Sequence, residues 1–132
     1  MMNITAVVPM IPVRDVERSA VFYRILGFEV GNREPKDGQM GWAWLYSPDA
    51  TDWRRGPNLM LIRNEHPVGH PARRPVYFFY ASDLLATREA LIRAGETPGP
   101  IRCPGYLPKG EFAIDDPDGH SLTVAQRFEA TP

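Results

Sequence analysis

Apolar and polar residues alternate in short runs along most of this chain, and two stretches break the alternation with a helical period. The first is VERSAVFYRIL, bracketed by Asp15 and Gly27; the second is LLATREALIRA, bracketed by Asp83 and Gly95. In the first, Val16, Ala20, Tyr23 and Leu26 fall on one helical face. In the second, Leu84, Leu91 and Ala94 do so, with Leu85 and Ile92 beside them. An Asp carboxylate accepts an orphan amide at a helix start and suits the positive end of the helix dipole. A Gly just past the last turn takes the left-handed position that closes the helix. Both stretches are therefore predicted helices of about eleven residues, and their equal spacing of caps points to a duplicated unit.

The alternating runs predict strands. ITAVVPMIPV precedes the first helix, and GFEVGNR, MGWAWLYS and NLMLIRN follow it. RPVYFFYA precedes the second helix, and ETPGPIR, GEFAID and HSLTVAQ follow it. Each half thus reads strand–helix–strand–strand–strand. Asp116-Pro117-Asp118-Gly119 closes a hairpin between the last two strands, because Pro presets φ for a turn and Gly tolerates positive φ. Pro9 and Pro12 have no amide to donate, so the first strand is predicted to be an edge or irregular strand. The organisation expected is one domain spanning 1–132, with a first module over 4–65, a linker over 66–72 and a second module over 73–127.

Composition narrows the function classes. The chain has 132 residues, 43% hydrophobic, with 15 basic and 16 acidic side chains. That near-cancellation excludes the basic excess of a dedicated nucleic-acid or anionic-membrane binder. Cys103 is the one cysteine, so neither an internal disulfide nor a cysteine-built metal site can form. The start MMNITAVVPM has no charged region followed by a long apolar stretch, and no run approaches the length of a membrane span. A soluble, cytoplasmic protein is expected.

The residues Pro9-x-x-x-Val13-x-Asp15, Phe22-Tyr23-x-x-Leu26-Gly27-Phe28 and Gly110-Glu111-Phe112-Ala113-x-x-Asp116-Pro117-Asp118-Gly119-His120 resemble the glyoxalase/bleomycin-resistance/dioxygenase superfamily, also called vicinal oxygen chelate proteins. The resemblance covers roughly residues 4 to 126. It implies an α+β fold of two βαβββ modules, each a cupped mixed sheet with its helix on the convex face, around a shared cleft. It also implies a homodimer. It does not fix a reaction, because the family holds lyases, isomerases, ring-cleaving dioxygenases, thiol transferases and proteins that only sequester drugs.

Family enzymes hold one divalent metal with His, Glu or Gln from concave strand positions. Carried over residue by residue, those positions fall on Val8, Val76 and Thr123, with the fourth on Met60 or Ile62. Hydrocarbon and lone hydroxyl side chains do not ligate such a cation. His66 and His70 have helical spacing, but Pro67, Gly69 and Pro71 exclude a helix there. No metal, cofactor or catalytic residue is assigned. What remains is an aromatic stripe: Trp42, Trp44 and Tyr46 alternate with Gly41, Ala43 and Leu45, and family geometry turns the rings to the concave side. The same parity implies that Val8, Met10, Val76, Phe78, Tyr80 and Thr123 face that side too. The ligand-binding residues expected are Trp42, Trp44, Tyr46, Met60, Phe78, Tyr106 and Glu111. Glu111 either meets a ligand amine or pairs with a nearby Arg.

Three readings follow. A metal-independent protein of the bleomycin-resistance type would sequester a small aromatic or amphipathic organic ligand. An enzyme, either a glyoxalase-like lyase or isomerase or a ring-cleaving dioxygenase, would need an unrecognised metal site or acid–base chemistry from Glu111 or Tyr106. An interaction module would use the aromatics only as core. The missing metal ligands favour the first.

Overall fold

Each capping pair seen in the sequence builds the end of a real helix. In the computed structural model, which describes residues 3–50, 52, 55–69 and 74–127, α1 spans Val16–Ile25 and α2 spans Leu84–Arg93. The Asp15 carboxylate accepts from the Arg18 amide at 3.1 Å, and the Asp83 carboxylate accepts from the Ala86 amide at 3.0 Å. At the other end, Gly27 and Gly95 take φ of 101° and 89°. Their amides and those of Phe28 and Glu96 turn back onto the last-turn carbonyls of Tyr23, Arg24, Leu91 and Ile92. The first closure is also apolar: Phe28 meets Tyr23 edge-on with ring centroids 6.4 Å apart.

The chain divides into two compact units, Met1–Val68 and Gly69–Pro132. The first is a four-stranded mixed sheet in the order β1-β4-β3-β2, from β1 (Met10–Val13), β2 (Glu29–Glu34), β3 (Trp42–Tyr46) and β4 (Asn58–Arg63). β1 runs parallel to β4, and the other pairs are antiparallel. Ile11, Val13, Ala43, Leu45, Leu59 and Leu61 are buried with Val16, Ala20, Phe22 and Tyr23 of α1. One side of the sheet is thus the core of the unit. The second unit is a three-stranded sheet in the order β5-β7-β6, from β5 (Val76–Ala81), β6 (Glu111–Asp115) and β7 (Ser121–Gln126). Its core joins Phe112, Ile114, Leu122 and Val124 to Leu84 and Leu91 of α2. This is the expected α+β architecture.

Three local expectations are corrected. The first strand is only Met10–Val13 rather than the whole run from Ile4, and it lies at the edge of its sheet. Pro9 has no amide for the ladder; its carbonyl alone accepts from the Met60 amide, at 2.8 Å. ETPGPIR is no strand. Pro98 and Pro100 remove alternate donors, and what remains is an Arg102↔Glu111 bridge and a bond from the Gly99 amide to the Ala113 carbonyl at 2.8 Å. Finally, Leu85 and Ile92 of α2 are exposed, at 71% and 44%, and Ala94 is exposed as well. A sheet of three strands needs less helix surface to cover it than the periodicity offers. No helix among the described residues is long and apolar enough to cross a membrane.

Candidate functional site

Strand alternation puts Trp42, Trp44 and Tyr46 on the side of the first sheet opposite α1. Their intervening partners Ala43 and Leu45 are fully buried. The rings are half-buried, so one side of the row meets solvent. Register brings Ile62, Met60 and Asn58 of β4 opposite Trp42, Trp44 and Tyr46 respectively, and Met10 of β1 beside Met60. Trp44 and Tyr46 are stacked, with centroids 5.2 Å apart and planes 11° from parallel. The indole N–H of Trp44 donates to Oδ1 of Asn58 at 3.2 Å, and the Asn58 amide donates to the Gly56 carbonyl at 3.3 Å. That donor, which the sequence offers to a ligand, is held inside the protein.

On the far side of the row lies β2, whose pairing with β3 slips between Val30 and Asn32. Gly31 occupies the slip. A Cβ there would stand 2.5 Å from Cζ3 of Trp44 and 2.9 Å from Cδ1 of Tyr46, so the stacked rings lie directly on the glycine backbone. Across β2, Glu29 and Glu34 pair with Tyr46 and Trp42. They border an apolar platform with negative charge, which favours cations over anions near the rings.

The second unit presents its own surface. Val76, Phe78 and Tyr80 of β5 are exposed at 59%, 44% and 59%, and Phe78 and Tyr80 touch with centroids 5.3 Å apart. Phe78 pairs with Thr123, and Thr123 with Ala113. An open cleft of about 290 Å³ is lined by Gly99, Pro100, Arg102, Glu111, Phe112, Ala113 and Thr123. It lies just under the roughly 300–1,000 Å³ of pockets that enclose a drug-sized ligand, so it suits a small fragment or one end of a larger molecule. At its edge Glu111 accepts from the phenol of Tyr106 at 3.3 Å. The Glu111 charge, then burial, then this hydrogen bond raise the Tyr106 phenol above its ordinary 10.0. At neutral pH Tyr106 is therefore a donor and not a base.

The structure places Trp42, Trp44, Tyr46 and Met60 on one face of the first sheet, and Phe78 and Glu111 on one face of the second, with Tyr106 on the loop beside Glu111. Arg102 lies across from Glu111 and joins it through paired backbone bonds of 2.8 Å, which involve neither the guanidinium nor the carboxylate. Sequence reading missed three residues. Gly31 and Asn58 shape the platform. Glu17 accepts the Met40 amide at 2.9 Å through Oε2 and so ties the β2–β3 connection to α1. Its Oε1 is buried with no partner among the described residues. An isolated Gly inside a strand pattern is a signal of close approach that Gly31 did carry. The other two depend on distant partners and leave no local mark.

The positions where the family resemblance puts metal ligands hold Val8, Val76, Thr123 and Met60 or Ile62. An aliphatic, hydroxyl and thioether set does not fit a divalent cation that prefers oxygen or imidazole donors. Among the described residues no group of three or more His, Cys, Asp or Glu is placed to hold a metal ion. His120 is buried edge-on against Tyr77 at 5.9 Å, a packing role. Cys103 is exposed. His70 lies outside the described residues.

Comparison with known proteins identifies the family and the fold. Residues 4–124 match the family model of the Glyoxalase/Bleomycin resistance protein/Dioxygenase superfamily. The fold is similar to a bleomycin-binding protein solved in complex with bleomycin, at 21% identity and a TM-score of 0.68, covering 93% of this chain and 98% of that one. It is similar to a bleomycin resistance determinant encoded on the transposon Tn5, at 22% identity and a TM-score of 0.69, covering 92% and 97%. It is also similar to a glyoxylase/bleomycin resistance protein/dioxygenase domain from Frankia sp. EAN1pec, at 21% identity and a TM-score of 0.73, covering 98% and 96%. No curated protein matches the chain.

Proposed function

Because this chain belongs to the Glyoxalase/Bleomycin resistance protein/Dioxygenase superfamily, yet keeps carbon and hydroxyl groups where family enzymes keep metal ligands, we propose that it is a metal-independent binding protein for a small organic molecule. The ligand class is aromatic or amphipathic. The observation that carries this reading is the stacked Trp44–Tyr46 pair, half-exposed on the open face of the four-stranded sheet with Met60 across from Trp44. Flat, polarisable surface kept partly in contact with water is costly to a fold and useful to a guest, because covering it releases water and gains dispersion contacts. Capture alone lowers the free concentration of a toxic compound, so sequestration needs no reaction. The bleomycin-binding protein, solved with its drug, supports this class of role. We extend the proposal to a homodimer acting in the cytoplasm; the exposed Val76, Phe78 and Tyr80 are apolar surface of the kind that partners cover.

Titration of the tryptophan fluorescence with bleomycin and with proflavine, a planar heteroaromatic cation, tests the reading. Saturable quenching that is lost in Trp44→Ala and unaffected by EDTA is expected. Stoichiometric metal in the purified protein, with quenching abolished by EDTA, would overturn metal independence. Absence of quenching by either compound and by a wider set of planar metabolites would leave the aromatics as core alone and defeat the binding role.

A further inference from the structure

The geometry points to Gly31 and Asn58 as the positioning residues of the aromatic platform, a claim that rests on the binding function proposed above. Gly31 is not there for its backbone: it is absent from the glycines at positive φ, which are Gly27, Gly38, Gly95, Gly110 and Gly119. An alanine is conformationally permitted at such a position, and replacing Gly at a compatible φ ordinarily stabilises a protein through the unfolded chain. What an alanine meets is aromatic carbon. Its Cβ would stand 2.5 and 2.6 Å from Cζ3 and Cε3 of Trp44, far inside van der Waals contact.

The missing side chain is thus the floor on which Trp44 lies. Asn58 fixes the same ring from the opposite edge, through its acceptor for the indole N–H at 3.2 Å, and is itself held by the Gly56 carbonyl. Tyr46, stacked at 5.2 Å, adds a further contact. Held by these contacts, the half-buried ring is kept in one orientation. A flat guest then binds without first ordering the side chain, which removes an entropic cost of association. The clash from Gly31→Ala falls on a side chain and not on the ladder, so the ring must tilt while the strand pairing survives.

Near-ultraviolet circular dichroism reads the ring arrangement without any ligand, and the difference between wild type and Trp44→Phe isolates the band due to Trp44. Gly31→Ala is expected to lose that band, to keep its far-ultraviolet spectrum and cooperative melting, and to bind proflavine about tenfold more weakly. Asn58→Leu is expected to behave alike, and Asn58→Asp, which keeps the acceptor, to restore both readouts. An unchanged Trp44 band in Gly31→Ala, or a lost band with proflavine affinity unchanged, would overturn the inference. Should Gly31→Ala not fold, the Asn58→Leu and Asn58→Asp pair decides it by the same two readouts. If the wild type binds no probe, the functional proposal fails by itself, and the spectra still decide whether Gly31 and Asn58 set the ring.

Discussion

At Asp116 a single side chain holds a whole turn together. It is 4% exposed, and one carboxylate oxygen accepts from the amides of Asp118 and His120, each at 2.9 Å. Removing it leaves amides in a poorly hydrated turn without their acceptor, so Asp116→Ala is expected to cost about 2 kcal/mol. A shift of the urea midpoint at constant slope measures this loss. The same carboxylate acts on Tyr77. Burial first, and the Asp116 charge second, raise the Tyr77 phenol above its ordinary 10.0. The folded state then holds that proton more tightly than the unfolded chain. This stability is complete below the unfolded value of about 10 and is lost as pH rises through the higher folded value. Denaturant midpoints followed through the alkaline range should therefore fall, and Tyr77→Phe should flatten part of that fall; an identical fall in the variant would refute the assignment. Asp116-Pro-Asp-Gly announced its turn in the sequence, but nothing there said that the first carboxylate would be buried or that Tyr77 would sit within reach of it.

Helices and strands were legible to different degrees, and for a physical reason. A cap is a local device: Asp15 meets an amide three residues on, and Gly27 closes the helix through bonds that stay inside one turn. Asp15→Ala and Asp83→Ala should each cost about 1 kcal/mol, and with no shared partner between the two caps among the described residues the losses should add in the double variant. Equilibrium unfolding of the three variants checks both statements, and a marked departure from additivity would show that the caps are coupled. Strand lengths were less legible, because pairing depends on residues far along the chain. ITAVVPMIPV and ETPGPIR both alternate like strands, yet Pro9, Pro98 and Pro100 interrupt the donors and only Met10–Val13 of the first run joins a ladder. The face of a strand, by contrast, followed from parity alone: once Ala43 and Leu45 are inside, Trp42, Trp44 and Tyr46 must be on the other side.

For the whole molecule, binding and stability are linked. A ligand that meets only the folded protein stabilises it by about 2.7 kcal/mol at a hundredfold excess over its dissociation constant, so the melting temperature should climb with proflavine concentration in wild type and stay level in Trp44→Ala. EDTA alone should leave the wild-type melting curve where it was, in contrast to a protein whose fold includes a bound cation. Capping, turn chemistry, strand parity and the absence of metal-ligating side chains at the expected positions are properties of the chain read in order, because each depends on residue type and on neighbours a few positions away. The repeat of strand, helix and strands, and hence the α+β family fold, was fixed at that level. Tertiary structure alone decided that the Trp44 indole spends its N–H on Asn58, that Gly31 is the surface the rings rest on, and that Glu17 reaches across to Met40. Such contacts join residues that only folding brings together, and their energies depend on separations of a few ångströms that no sequence spacing encodes.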